Sequence, residues 1–178
     1  MSGIKKILVP TDFSEASKES LRYACTLADA LHASLHIIHV NQNPYVPGGF
    51  LDFYVPPPDF FQEIERATFR DLAALLTTEE KTKYGAILVQ RTGGAAHEIL
   101  DYLREHEDID LVVMATHGRG GAARLMMGSV ADKIVHAAPC PVLTIRTAGE
   151  PDEHATARNE GGAERDAPVL DACLAPRA

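Results

Sequence analysis

The chain has 178 residues, of which 46% are hydrophobic and 24% are charged, and its formal net charge is −8. This length suits one domain with a sheet and covering helices, and the composition is that of a soluble globular protein. The acidic balance argues against a nucleic-acid-binding surface, although local backbone amides can still bind one small anionic ligand.

Short apolar runs alternate with longer amphipathic stretches, which is the pattern of a parallel sheet covered by helices. The first predicted strand, Ile4 to Val9, stops at Pro10. Ser14 is the predicted N-cap of the first helix, with Glu15 in its first turn. Ser34 to Val40 is the second predicted strand. Apolar residues recur along the first helix at helical spacing: Leu21, Ala24, Cys25, Ala28 and Leu31.

Residues 41–58 contain five prolines and an adjacent pair of glycines, so they cannot form a regular helix or a central strand. We therefore predict a long loop. Its aromatic residues, Phe50, Phe53 and Tyr54, are interpreted as packing on the domain or contacting a second subunit. The alternative is a lid over a small molecule.

The alternation of helices and strands continues to Ile145. The predicted elements are a helix over Asp59–Leu76, a third strand over Ala86–Gln90, a helix marked by Ala96, Ile99, Leu100 and Leu103, a fourth strand over Leu111–Ala115, a helix with Val130, Ile134 and Ala137 on one face, and a fifth strand over Val142–Ile145.

Beyond Arg146 this periodicity disappears, and residues 147–178 are rich in Ala, Gly, Pro and charged residues. Such a segment buries too little apolar surface to offset its ordering entropy. We predict one domain over residues 1–146 and a flexible C-terminal tail over residues 147–178. A short docked helix around Val169–Leu174 is the alternative.

The cysteines, Cys25, Cys140 and Cys173, stand far apart, which is typical of reduced thiols in a cytosolic protein. Cys25 lies on the apolar face of the first helix, so we interpret it as a buried structural thiol rather than a reactive one. The N-terminus lacks the apolar core of a signal peptide, and no apolar run is long enough to span a membrane. The sequence predicts a cytoplasmic protein without a membrane partner.

Two loops that follow predicted strands carry the residues suited to chemistry. One is Val9 to Asp12, and the other runs from Met114 through Gly118 to Ser129. In doubly wound sheets, ligands bind beyond the carboxyl ends of the strands where the winding direction reverses. If strands one and four are neighbours, these two loops face each other across that crevice.

The second loop has the features of a phosphate site. Gly118 lets the backbone approach an oxyanion closely, and Gly128-Ser129 opens a helix whose free amides favour phosphate. The Ser129 hydroxyl can cap that helix or bind a phosphate oxygen, while His117 can donate to phosphate and Arg119 can approach it as a cation. The simpler alternative is that the glycines are turn residues and Ser129 is only a cap.

Asp12, in the first loop, is an acceptor suited to an adenine amino group or a ribose hydroxyl. Its simpler role would be to help cap the first helix. The occurrence of both loops together favours the binding interpretation over the structural one.

After the fourth strand, Ala115, Gly118, Gly128 and Ser129 occupy the positions of a Gly-x-x-Gly-x(9)-Gly-Ser/Thr pattern. With residues 7–14, the His39-Val40 strand end and residues 138–143, this pattern resembles the ATP-binding type of the universal stress protein family. The resemblance spans residues 4–146 and leaves the C-terminal tail unmatched.

The resemblance implies an α/β three-layer sandwich with a five-stranded parallel sheet in the order 3-2-1-4-5, Rossmann-like and of the adenine nucleotide alpha hydrolase type. It also implies a homodimer formed through the last strand, Val142 to Ile145. The ATP-binding residues that it implies are Pro10, Thr11, Asp12 and Val40 around adenine and ribose; Met114, His117 and Gly118 along the ribose and phosphate path, beside Ala115 and Arg119; and Gly128, Ser129, Val130 and Ala131 at the phosphates.

One residue departs from the family pattern, because Ala115 replaces the first motif glycine. A methyl group is tolerable there if the backbone is ordinary β, but costly if φ is positive or if a ligand atom lies against Cα. We expect ATP binding to be weakened or unchanged, but not lost.

Three other sites are disfavoured. A Gly-x(4)-Gly-Lys-Ser/Thr P-loop does not occur. Residues 118–123 match a loose Gly-x-Gly-x-x-Ala dinucleotide pattern, but they follow the fourth strand and have no acidic residue about twenty positions later. His36 and His39 have the wrong spacing to share one face of a strand, so no zinc site is indicated.

The leading functional hypothesis is an ATP-binding regulatory protein of the stress response, acting as a homodimer. The enzyme alternative is a slow Mg²⁺-dependent ATP hydrolase or phosphotransferase that uses the same site, although no carboxylate base is evident beside His117 and Arg119. The third hypothesis is a nucleotide-free protein-interaction module whose site Ala115 has closed.

Overall fold

A computed structural model describes residues 3–42, 59–116 and 127–146. Within these ranges the elements are β1 (Lys6–Pro10), α1 (Glu15–Leu31), β2 (Ser34–Asn41), α2 (Phe60–Ala74), α3 (Thr78–Lys83), β3 (Ile87–Thr92), α4 (Ala95–Glu105), β4 (Leu111–Ala115), α5 (Ser129–Ala137) and β5 (Val142–Ile145). The predicted tail and nearly all of the predicted loop at residues 41–58 lie outside the described residues.

The strands form one parallel sheet in the order β3-β2-β1-β4-β5, which confirms the predicted fold. Helices cover both faces. One apolar cluster packs α1 and α2 against the sheet through residues such as Val9 and Leu72, and the other packs α4 and α5 through residues such as Leu8 and Ile134. Because both faces of β1 are covered, its residues Ile7 to Val9 are completely buried.

The first helix begins as the sequence predicts. The Ser14 hydroxyl accepts a hydrogen bond from the backbone N–H of Ser17, so Ser14 is the N-cap. Burial raises the pKa of the half-buried Cys25 thiol on this helix to about 11. That thiol therefore stays protonated at neutral pH, in agreement with a structural role.

Several details of the predicted elements were wrong. The third strand runs over Ile87–Thr92 rather than Ala86–Gln90. The first strand starts at Lys6 rather than at Ile4. The short helix α3 was not predicted because it buries no residue, although its capping box of Thr77 and Glu80 was a usable signal. On α5 the buried residues are Ala131 and Ile134, whereas Ala137 is exposed near the end of the helix.

Within the described ranges, no helix has the length and apolarity needed to cross a membrane.

A buried polar cluster joins β2 to α4 near the start of β2. The His36 ring is 2% exposed, and its Nδ1 lies 2.7 Å from the Tyr102 hydroxyl. His106 stacks on the Tyr102 ring, and Arg91, which is ion-paired with Glu105, lies over the same ring. Burial, with the nearby charges of Lys6 and His106, lowers the pKa of His36 to about 4.

This pKa predicts acid destabilisation. In the unfolded chain His36 takes up a proton near its ordinary pKa of 6.5, whereas the folded protein keeps it neutral down to about pH 4. The contribution of His36 to the free energy of unfolding is therefore complete above the unfolded pKa. It falls by about 3 kcal/mol as pH drops through this window to the folded pKa. When the free energy of unfolding is measured in urea, it should depend less on pH in His36→Asn than in the wild type between about pH 6.5 and pH 4. His136→Asn, at an exposed histidine, is the matched control, and equal slopes for the wild type and His36→Asn would contradict the assignment.

Candidate functional site

A cavity of about 910 Å³ opens at the carboxyl ends of the strands. Its origin lies in the sheet, because β1 and β4 pair only as far as Leu8 and Val112, although β1 continues to Pro10 and β4 to Ala115. The two strands separate there, since β1 leads into α1 on one face of the sheet and β4 leads toward α5 on the other. This is the crevice expected where the winding of the sheet reverses.

The structure brings together every described residue of the predicted site. All of them line this one cavity: Pro10, Thr11, Asp12, Val40, Met114, Ala115, Gly128, Ser129, Val130 and Ala131. His117, Gly118 and Arg119 lie outside the described residues. The binding roles assigned to these residues remain predictions.

Thr11 organises the turn that leaves β1. Its backbone N–H donates to the carbonyl of Ile38 at 2.9 Å, which extends the pairing with β2 by one bond. Its buried hydroxyl accepts from the N–H of Phe13 at 3.1 Å and lies 3.1 Å from the Ser17 hydroxyl. The turn is therefore held by buried hydrogen bonds at both of its ends.

Asp12 lies at the cavity and also braces the start of α1. Its Oδ1 accepts from the backbone N–H of Ser14 at 3.1 Å and from the Ser14 hydroxyl at 2.6 Å. The simpler role weighed for Asp12 is thus present in the structure, because it orients the residue that caps α1. Any ligand contact would come in addition to this role.

The backbone of Val40 faces the crevice. The carbonyl of Ile38 points toward β1, where it accepts from Thr11, and the carbonyl of Asn41 points the other way, where it accepts from Gly93. Because backbone directions alternate along a strand, the N–H and C=O of Val40 point to the same side as those of Ile38. Since β1 has already turned away at Thr11, this donor and acceptor are directed into the space beyond the turn.

The N-terminus of α5 opens on the opposite wall. Gly128 is the N-cap, with ψ of 147° and no side-chain cap, and its own N–H donates to the carbonyl of Thr116 at 2.8 Å. Ser129 is therefore the first helical residue and not the cap, so its capping alternative was wrong. The first intrahelical bond runs from the N–H of Asp132 to Gly128. The N–H groups of residues 129–131 precede that bond and have no partner within the helix.

Ala115 adopts ordinary strand geometry. This residue of β4 pairs with Ile145 of β5, and the described non-glycine residues with positive φ are Phe13 and His32. Side chains alternate along a strand, so the Ala115 methyl lies on the same face of β4 as Val113, toward α1. Neither the backbone at this position nor the helix α5 requires a glycine there.

One wall of the cavity was not predicted. The helix α2 contributes Phe61, Ile64, Glu65, Thr68 and Asp71. Its Thr68 hydroxyl donates to the side-chain carbonyl of Asn41 at the end of β2. The helical periodicity of α2 was visible in the sequence, but periodicity gives no information on which strand end a helix covers.

Phe13 and His39 are also cavity residues that the sequence analysis did not select. Their rings stack with centroids 4.4 Å apart at an interplanar angle of 30°. The sequence assigned His39 only to the strand end that matches the family pattern and weighed it as a metal ligand. Its contact with Phe13 joins residues 26 positions apart. No sequence pattern signalled that contact.

The described lining of the cavity is acidic. It contains the carboxylates of Asp12, Glu65 and Asp71 and, among the described residues, neither lysine nor arginine. The same part of the chain shows no group of three or more His, Cys, Asp or Glu side chains able to hold a metal ion. Here an anion would be bound by peptide N–H groups rather than by basic side chains.

Comparison with known proteins gives concordant results. The universal stress protein family model matches residues 3–146. Universal stress protein YxiE of Bacillus subtilis is 32% identical over 146 residues, covering 79% of this chain and 98% of YxiE. The structure of universal stress protein UspA from Lactobacillus plantarum is 27% identical with a TM-score of 0.68, covering 82% of this chain and 100% of that one. A universal stress protein family structure from Arabidopsis thaliana with AMP bound has 18% identity and a TM-score of 0.53, covering 87% of this chain and 99% of that one.

The geometry of Ala115 predicts the effect of restoring the motif glycine. Ala115→Gly should lower the free energy of unfolding by about 1 to 2 kcal/mol, because it removes a buried methyl and adds backbone freedom in a strand. Urea unfolding measures this change. An equal or higher stability of the glycine variant would show that the backbone at position 115 is strained.

Proposed function

Because the chain belongs to the universal stress protein family, we propose that residues 1–146 form a nucleotide-binding domain whose ligand is ATP. The observation that carries this proposal is the N-terminus of α5, whose first three N–H groups have no partner within the helix. It opens on the same cavity as the β1 turn and the backbone of Val40. The cavity offers phosphate donors at one wall and an edge suited to a nucleobase at the other. Its volume of about 910 Å³ is in the range that small-molecule sites occupy.

At the nucleoside end, the N–H and C=O of Val40 form a donor and acceptor pair. Adenine presents a matching pair, since its ring N1 accepts and its 6-amino group donates. Thr11 and Asp12 border the same space, and Asp12 supplies carboxylate acceptors for ribose hydroxyls. Because the backbone of residue 40 would make these hydrogen bonds, they require no particular side chain at that position.

At the phosphate end, the N–H groups of Ser129, Val130 and Ala131 and the helix dipole favour an anion. The carboxylates of the described cavity wall oppose a bare triphosphate. We therefore expect ATP to bind as its Mg²⁺ complex, with the ion held by phosphate oxygens and water rather than by a protein cage. His117, Gly118 and Arg119 are proposed to complete the phosphate contacts.

The AMP in the Arabidopsis thaliana structure belongs to that protein, and an identity of 18% shows only the shared fold. It supports the proposal to the extent that this fold can hold an adenine nucleotide. The choice of ATP for this chain rests on its own amide donors and on the remaining motif residues Gly118, Gly128 and Ser129.

The proposed function is regulatory, and the proposed location of the protein is the cytoplasm. Nucleotide occupancy would order the loops around the cavity and change the surface offered to a partner protein. The two other hypotheses, a slow Mg²⁺-dependent hydrolase and a nucleotide-free interaction module, predict different outcomes of the following experiment.

The test exploits the geometry of α5. Proline is tolerated at the first position of a helix, and the extended backbone of Gly128 suits a residue before proline. Ser129→Pro should therefore preserve α5 while removing one N–H that faces the phosphates. In calorimetric titration with MgATP, we expect its affinity to fall about 10- to 100-fold, because an anion-directed amide hydrogen bond is worth about 1.5 to 3 kcal/mol. The affinity of Ser129→Ala should fall less.

Thr78→Pro is the matched control, since Thr78 is the first residue of α3 and follows the extended residue Thr77. It should bind MgATP like the wild type. Denatured wild-type protein should release ATP or ADP, and steady turnover of bound ATP would favour the hydrolase. Absence of both retained and titratable nucleotide would refute the proposal and favour the interaction module.

We also propose a homodimer through β5, which is an edge strand of the described sheet. The carbonyls of Pro141 and Ile145 face β4, where they accept from Val112 and Thr116. Because backbone directions alternate, the N–H and C=O of Val142 and Thr144 face away from β4, at the edge where a second copy would pair.

Thr144→Pro should weaken the dimer because it removes an outward N–H without removing a bond to β4. Sedimentation velocity over a concentration series should show a dimer for the wild type and a larger monomer fraction for the variant. Circular dichroism checks that the variant is folded. A folded Thr144→Pro variant with unchanged association would contradict pairing through β5.

A further inference from the structure

The turn after β1 contains a strained residue at the cavity wall. Phe13 has a φ of 65°, in the left-handed region that bulky side chains rarely occupy. The other described non-glycine residue with positive φ, His32, closes the C-terminus of α1, where this conformation is common. Phe13 lies instead beside the cavity, before the N-terminus of the same helix. Its conformation persists only if neighbouring contacts hold it.

Two of these contacts involve His39, which lies on β2 beyond the last residue paired with β1. Its ring stacks on the ring of Phe13. Its Nδ1 lies 2.8 Å from the backbone carbonyl of Thr11. A carbonyl oxygen can only accept, so Nδ1 carries the proton and donates it. His39 therefore contacts the turn on both sides of Asp12, at the carbonyl of Thr11 and at the ring of Phe13.

A third contact lies within the turn, where the Thr11 hydroxyl accepts a hydrogen bond from the N–H of Phe13. One side chain of β2 and one hydroxyl of the turn itself thus help to fix the chain from Thr11 to Phe13. These are the residues whose positions set the nucleoside wall of the cavity. Without His39, Phe13 could relax to negative φ, and the carbonyl of Thr11 and the carboxylate of Asp12 would change direction.

We propose that His39 is a positioning residue for nucleotide binding: it holds the Thr11–Phe13 turn in its binding conformation through the Nδ1–H bond and the ring stack. This inference rests on the proposed function, because the turn is assigned there to the nucleoside. The side chain of His39 acts through the turn and not through the phosphates.

Substitutions at position 39 separate the two contacts. An asparagine amide nitrogen can occupy the place of Nδ1, a glutamine amide nitrogen lies nearer the place of Nε2, and phenylalanine keeps only the stack. His39→Phe and His39→Gln should weaken binding of MgATP about fivefold, the equivalent of one ordinary hydrogen bond. His39→Asn should recover most of that loss. The fold-change should be equal for ATP, ADP and AMP, because it arises at the nucleoside end.

A double-mutant cycle with Phe13 tests the role of strain. Glycine adopts a φ of 65° without steric cost. The loss of affinity caused by His39→Ala should therefore be smaller in the Phe13→Gly background than in the wild type. Equal losses in both backgrounds would overturn the strain argument. Thermal unfolding identifies variants that lose binding because they are unfolded, and those are compared at a lower temperature.

A measurement without nucleotide keeps the two proposals distinguishable. In the free protein, nitrogen-15 NMR of the imidazole should show His39 protonated at Nδ1. The carbon-13 Cα and Cβ shifts of Phe13, which report its backbone conformation, should change more in His39→Phe than in His39→Asn. Wild-type protein that binds no nucleotide would refute the proposed function. Wild-type binding with unchanged affinity in folded His39→Phe would overturn the role of His39 alone.

Discussion

The pairing between β1 and β4 ends early, and this opens the crevice at the carboxyl edge of the sheet. The two strands pair only as far as Leu8 and Val112, because the chain then leaves β1 toward one face and β4 toward the other. This separation gives the N-terminus of α5 room to open on the crevice. The N–H and C=O of Val40 face the same space for a different reason, because the pairing of β1 with β2 ends at Pro10 and Ile38.

A site built from peptide groups places few demands on side-chain identity. Gly128 has an extended conformation that any residue can adopt, and Ala115 lies in regular β geometry with its methyl toward α1. The departure of Ala115 from the family pattern is therefore compatible with an open site. The residues under tighter constraint are those that aim the backbone, namely Thr11 with its buried hydroxyl, Asp12 with its bonds to Ser14, and the Phe13–His39 stack.

The sequence predicted features that depend on local pattern. The bounds of β4 and β5 and the Ser14 cap follow from short apolar runs and capping chemistry, and the strand order followed from the family resemblance. Features set by contacts distant in sequence were missed, including the α2 wall and the contact of His39 with Phe13. The burial of Ala131 in place of Ala137 has a similar cause, because the angle at which α5 meets the sheet decides which neighbours on its face are covered.

The left-handed conformation of Phe13 links the fold to the site. A glycine at position 13 would adopt this φ freely, but it would also leave the turn mobile when the cavity is empty. A phenylalanine strained at this φ and stacked on His39 has fewer alternative conformations, so less ordering remains to be done when a ligand binds. The strain is offset by partly buried contacts within the turn and to β2. In the proposed site, a rigid nucleoside end can therefore coexist with a phosphate end that relies on the amides of a helix terminus.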